Sequence, residues 1–192
     1  MDTVSMSTRS RMMSGIRGSD TKPELFIRKG LFAHGFRFRT NCRDLPGRPD
    51  LKLTRYGAVI LVHGCFWHGH SCRYFRLPSS NVPFWSAKIE KNRARDLRDV
   101  RSLREAGWRV CIVWECAVRL AMGEKDGGRL MNEIESWLKS NKPFIEFFDT
   151  ASMSVNRSAE SHPRKALIGR NASVSSFAAE REPPYGAVTQ DR

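Results

Sequence analysis

The stretch His63-Gly64-Cys65-Phe66-Trp67-His68-Gly69-His70-Ser71-Cys72 constrains this chain more than any other. Ten residues hold three of the five histidines, two of the five cysteines and an adjacent pair of large aromatics. Cys65, His70 and Cys72 are zinc-ligand types at short spacing. A tetrahedron needs a fourth ligand, and topology points to Cys116. Gly57 to Val62 is an apolar run that reads as a buried strand, with Cys65 just beyond its end. Arg109 to Glu115 reads as a second strand, with Cys116 following it. If the two strands are parallel neighbours, both ends open at one rim of the sheet, where the sites of α/β folds gather. His63 and His68 then stand outside the metal set. A purely structural Cys3His staple would explain the ligands but leave those two as idle surface histidines.

Charge narrows the partner. The net charge is +13 and the pI about 10.1. The last 42 residues hold six basic and four acidic side chains, so +11 falls on residues 1–150. An excess of that size on a folded domain points to a polyanion, most often nucleic acid. It carries no sequence specificity and does not separate DNA from RNA. The N-terminus has no signal-peptide pattern, and no apolar run approaches membrane-spanning length. The expectation is a cytoplasmic protein that makes no membrane contact. Cysteines in a reducing compartment are more often metal-bound than bridged. Cys111 lies inside an apolar strand and reads as core, while Cys42 has no assigned task.

Taken in order, the chain divides into a basic arm (1–19), a folded domain (20–150) and a tail (151–192). In the arm, Arg9, Arg11 and Arg17 interleave with Met12, Met13 and Ile16, as in a segment that presses on a nucleic-acid groove or simply frays. Thr21-Lys22-Pro23-Glu24 opens a helix with a capping box, which gives Glu24 a structural task of its own. Phe36 to Arg39 alternates like a strand. Leu45-Pro46-Gly47-Arg48-Pro49 is a turn that leads Asp50 into a strand, and a hairpin near Arg55-Tyr56-Gly57 returns the chain along 57–62. That hairpin brings Asp50 towards Val62 and His63. Residues 86–106 read as a long basic helix with Ile89, Val100 and Leu103 on its inner seam. Asp96 lies on the same seam, where a carboxylate needs a partner, a histidine or a nearby arginine. A strand over 108–115 and a helix over 129–139 complete the domain. The tail is rich in Ser, Arg, Pro and Glu and reads as disordered. The order α-β-β-β-α-β-α implies an α/β fold with a mixed sheet flanked by helices.

Asp50, His63, His68 and Asp96 thus converge on one rim. An acid at a strand start can ligate Mg²⁺, and a histidine oriented by a carboxylate can act as general base on water. A second histidine can stabilise the leaving oxygen. These parts suit phosphodiester hydrolysis on a basic protein.

Leu-Pro-Gly-Arg-Pro-Asp at 45–50, Val-His-Gly-Cys-Phe-Trp-His at 62–68 with His70 and Cys72, Phe84-Trp85, and Trp-Arg-Val-Cys-Ile-Val-Trp-Glu-Cys at 108–116 closely resemble the very short patch repair (Vsr) DNA mismatch endonucleases. The resemblance covers roughly residues 8–140. It implies a restriction-endonuclease-like core with a structural zinc site. It also implies an enzyme that nicks DNA 5′ of the thymine in T:G mismatches left by deamination of 5-methylcytosine. Such enzymes accompany a cytosine-5 DNA methyltransferase and work beside mismatch-repair factors; a monomer on double-stranded DNA is expected. By the same resemblance Asp50 would bind Mg²⁺ together with the backbone carbonyl of Val62. Members often carry Thr at that position, but a carbonyl survives the change. His68 would act near the scissile phosphate, His63 with Asp96 would form a second acid/base pair, and Glu24 would support the site. Cys65, His70, Cys72 and Cys116 would hold Zn²⁺. Phe66, Trp67 and Trp85 would wedge into the base stack, with Met13 on the minor-groove side. Two other classes compete: a non-catalytic zinc-stabilised DNA-binding protein, and a nuclease of other specificity on the same core.

Overall fold

The chain alternates between segments too apolar to face water and helices with one apolar stripe, and this sets the layering. The structure, a computed structural model, describes Thr8 and residues 18–123 and 128–150. Most of the arm, Met13 included, and the tail from 151 onward lie outside the described residues. The first helix, α1, is Lys22–Ala33; β1 is Arg39–Thr40, β2 Leu51–Leu53 and β3 Ala58–His63. The long helix α2 spans Val82–Glu105, followed by β4 Arg109–Trp114, α3 Glu115–Gly123, α4 Gly128–Lys139 and β5 Phe144–Phe147. The five strands form one sheet in sequence order. β1–β2 and β2–β3 pair antiparallel, whereas β3–β4 and β4–β5 pair parallel.

The Ala-Val-Ile-Leu-Val run of β3 is apolar without alternation because both of its faces are covered. Ala58 and Ile60 join a core with Ile27 and Leu31 of α1, Val118 of α3 and Ile134 and Trp137 of α4. Val59 and Leu61 join a second core on the opposite face, with Leu103 of α2, Val110, Ile112 and Trp114. Cys65, Cys72 and Cys116 are buried in that second core. Cys111 is fully buried in the first, as its strand position predicts.

The parallel register pairs Val62 with Val113 and His63 with Trp114. Cys65 and Cys116 each lie two residues past that last pair, so the two strand ends do open at one rim.

Four details depart from the sequence reading. Phe36 is buried and Phe38 half-buried, an alternation as expected, but only Arg39–Thr40 pairs as a strand. Helix α2 starts at Val82, four residues before the expected 86, with Pro83 in its first turn where a missing N–H costs nothing. Nothing in the sequence pattern marks helix α3. It follows β4 with no Gly or Pro between them, so the switch from strand to helix has no punctuation in the sequence. Strand β5 is likewise unmarked; Phe-Ile-Glu-Phe-Phe lacks clean alternation, and its partner β4 lies some thirty residues back.

Candidate functional site

Thr21 does cap α1: its hydroxyl accepts the Glu24 N–H at 3.5 Å. The same hydroxyl donates to Glu24 Oε1 at 2.8 Å, and Glu24 Oε2 accepts from the Asp20 N–H at 2.9 Å and Arg28 Nη2 at 3.0 Å. Both oxygens of this buried carboxylate are engaged, yet it still lines the cleft above the rim. Asp50 stands opposite, just before β2. The hairpin closes as expected, and Asp50 Oδ2 accepts the Val62 N–H at 2.7 Å. Burial pushes the Asp50 carboxyl up to about 6, against the pull of that N–H, and the nearby Glu24 charge adds to the rise. Two carboxylates in a half-dry site favour a bound cation. The donor set therefore fits a hard divalent ion at Asp50.

His63 ends β3 and is buried. The chain then turns and lays His68 flat on it, with ring centroids 3.9 Å apart and planes within 6°. His68 Nδ1 meets Asp96 Oδ2 at 2.5 Å. The carboxylate expected to pair with His63 thus bonds His68 instead. The reason is layering: His63 lies at sheet level, and His68 is the outer ring that α2 can reach. Burial would raise Asp96, but the hydrogen bond to His68, with His63 and Arg95 nearby, brings it below the usual carboxylate range. Burial and the neighbouring His68 push His63 down to about 3, so its imidazole is neutral at physiological pH. The cleft, about 880 Å³, gathers Glu24, Asp50, Val62, His63, His68 and Asp96. Lys88 and Arg95 of α2 and Arg48 of the Pro-Gly turn add positive charge to its walls.

Next to the cleft lies a Cys/His cluster. Cys65, His70, Cys72 and Cys116 are all buried, and their ligand atoms lie within 4.8 Å of one another. His70 Nδ1 is 3.7 Å from Cys65 Sγ and 3.5 Å from Cys116 Sγ. Sulfur and nitrogen bound to one tetrahedral zinc stand about 3.5 Å apart, close to these two separations, so the cluster could hold a metal such as zinc. A hydrogen bond from Cys65, with others from His70 and the Asp149 N–H, draws the Cys116 thiol well below its usual range, towards the thiolate a metal needs. His70 stacks on Trp114, centroids 4.3 Å apart. Cys116→Ser should cost more zinc affinity than the roughly 10–100-fold seen when only an outer partner is lost. Melting temperature should fall with it, because metal binding is folding energy. Metal analysis and thermal melting check this together; full zinc content in the variant would remove Cys116 from the set.

The short link between cluster and cleft carries the aromatics. Phe66 and Trp67 meet edge to face at 5.1 Å, and Trp85 of α2 lies 5.5 Å from Phe66 and 6.2 Å from Trp67. All three are only half-buried. Gly69 has φ +63°, and a Cβ there would sit 2.7 Å from Ile89 Cγ2, so only glycine lets the loop lie this close on α2.

Two side chains with no assigned task in the sequence brace this link. Asn92 Nδ2 donates to the Trp67 carbonyl at 2.8 Å. Glu115 Oε2 accepts the Cys65 N–H at 3.2 Å and is itself held by Arg119. Asn92 stands one helical turn before Asp96, and that spacing was the available signal for it. Glu115 had only its place next to Cys116. Met13 lies outside the described residues.

Comparison with known proteins follows the same lines. The family model described as DNA mismatch endonuclease Vsr matches residues 1–74. Over 137 residues the chain is 43% identical to the DNA mismatch endonuclease Vsr of Escherichia coli (strain K12), spanning 71% of this chain and 87% of that protein. It is 42% identical over 135 residues to the type II nicking enzyme V.NmeAIP of Neisseria meningitidis, spanning 70% of this chain and 96% of the relative. Against the type II nicking enzyme V.XorIIP of Xanthomonas oryzae pv. oryzae the identity is 47% over 115 residues, 60% of this chain and 85% of that one.

Proposed function

This chain belongs to the Vsr family of DNA mismatch endonucleases, and we propose that it nicks one strand of duplex DNA 5′ of the thymine in a T:G mismatch. The observation that carries the proposal is the loop between β3 and the metal cluster. One rigid link, pinned by α2, presents half-buried Phe66 and Trp67 beside Trp85 and sets His68 next to them over the cleft. Side chains that wedge between base steps pay less where pairing is already weak, so a mismatch is selected over matched duplex.

The chemistry is phosphodiester hydrolysis. Asp96 fixes the His68 ring through Nδ1, and Nε2 takes the proton from the attacking water. Neutral His63, stacked beneath, keeps a second positive charge away and can donate a hydrogen bond to a phosphate oxygen. Asp50 with the Val62 carbonyl would hold Mg²⁺, which when bound neutralises charge on the phosphate. Glu24 keeps the α1 end of the cleft in place. Lys88, Arg95 and Arg48 attract the DNA backbone without reading its sequence. Zn²⁺ in the cluster would hold the wedge and His68 in register. By this reading the enzyme acts as a monomer in the cytoplasm, beside a cytosine-5 DNA methyltransferase whose deaminated product it repairs, with mismatch-repair factors alongside.

The test is strand nicking on paired T:G and C:G duplexes of one sequence, with Mg²⁺. Nicking confined to the T:G strand 5′ of thymine is expected. Equal cutting of both duplexes would make the protein a nuclease of other specificity, and mismatch binding without nicking would make it a binding protein.

A further inference from the structure

Among the described residues, strand β5 pairs with β4 alone and ends at Phe147. The two residues after it turn onto the metal cluster and touch the surroundings of three of its four ligands. The Phe148 ring lies 5.9 Å from the His70 ring. The Asp149 N–H donates to Cys116 Sγ at 3.4 Å. The Asp149 carboxylate, 3% exposed, lies 3.4 Å from Arg73 Nη2, and Arg73 directly follows Cys72. We propose that Phe148 and Asp149 are positioning residues for the metal cluster, closing it from the C-terminal edge of the sheet.

Each contact has its own physical role. An N–H aimed at a thiolate stabilises negative charge on the sulfur and fixes its direction. A carboxylate with so little exposure needs a countercharge, and Arg73 supplies one. That ion pair tethers the Cys72 end of the ligand loop to the chain beyond β5. Arg73 is held from the other side by Tyr74, with its guanidinium carbon 5.0 Å from the ring centroid. The Phe148 ring limits how far His70 can tilt off Trp114. The consequence runs both ways. The edge strand keeps the cluster shut, and the loaded cluster keeps a four-residue edge strand docked.

The inference rests on the cluster holding zinc, and one experiment separates the two ideas. Full-length zinc-loaded protein is challenged with a colorimetric chelator and the release rate measured. A cobalt-substituted sample gives the thiolate-to-metal charge-transfer band. Asp149→Ala should release zinc about 10–100 times faster, the usual cost of losing an outer-shell partner, and should shift the cobalt band. Asp149→Asn, which keeps an acceptor for Arg73, should lie between it and the unsubstituted protein. Should Asp149→Ala fail to fold, Arg73→Ala, a change at a half-exposed side chain, should still speed release. A lower melting temperature with unchanged release and an unchanged band would reduce these residues to packing and overturn the inference. Unsubstituted protein that binds no zinc at all would instead overturn the zinc assignment itself.

Discussion

Asp50→Asn is expected to lower Mg²⁺-dependent nicking of T:G duplex by at least about 1000-fold, since the ion's charge stabilisation is worth several kcal/mol in the transition state. The same variant should be more stable than the unsubstituted protein in Mg²⁺-free buffer at neutral pH. Folding raises the Asp50 carboxyl from 3.8 to about 6, with burial the first cause. A group held above its unfolded value binds its proton more tightly in the native state. Its contribution is therefore most favourable below about pH 4 and is lost as pH rises towards 6. The full shift corresponds to no more than about 3 kcal/mol. Asparagine keeps an acceptor for the Val62 N–H and carries no charge, so it escapes that loss. Melting curves for the two proteins should converge near pH 4 and separate above pH 6, with Asp50→Asn higher. Nicking within tenfold of the unsubstituted rate would show that another acid carries the ion. A lower melting temperature at every pH would show that the carboxylate is structural.

Trp67→Ala should lose most T:G nicking while zinc content and fold remain. The loop has holds other than the indole. Asn92 holds the Trp67 carbonyl, Glu115 holds the Cys65 N–H, and the metal cluster anchors the far end. Removing one stacking aromatic costs about 1–3 kcal/mol by analogy with base stacking on single strands. Misplacing the phosphate relative to His68 adds a loss of roughly 100-fold in rate. Weak, salt-sensitive binding to matched duplex should barely change, because it comes from Lys and Arg. Nicking rates and affinities on T:G and C:G duplexes at two salt concentrations would check this. Equal losses on both would assign Trp67 to packing rather than to selection of the mismatch.

The balance between acid and histidine in the cleft was only half legible beforehand. Asp96 falls on the inner seam of α2 at helical spacing, so its need for a partner follows from period 3.6 and the cost of burying a bare carboxylate. Which histidine it meets does not follow from any spacing. His63 at the end of β3 and His68 in the turn after it are five residues apart, and either could face α2. The chain resolves this by stacking one ring on the other, so that His68 hydrogen-bonds Asp96 while His63 stays close by without that bond.

The Cys and His types of the cluster and the hairpin that brings Asp50 to Val62 were set by local pattern. Cysteine and histidine at short spacing, a turn sequence and two apolar runs each act over a few residues, and each does form what it encodes. The place of Cys116 beside Cys65, His70 and Cys72 also followed, because parallel strands put their ends at one rim and Cys65 and Cys116 stand equally far beyond it. Helix α3, strand β5 and the braces Asn92, Glu115 and Asp149 depend on contacts between segments far apart in sequence. A side chain's local pattern says whether it should be buried or paired, but not with which distant partner. That choice is made by packing in three dimensions, where the two faces of the sheet, the 2.7 Å approach at Gly69 and the closing turn after β5 select one arrangement.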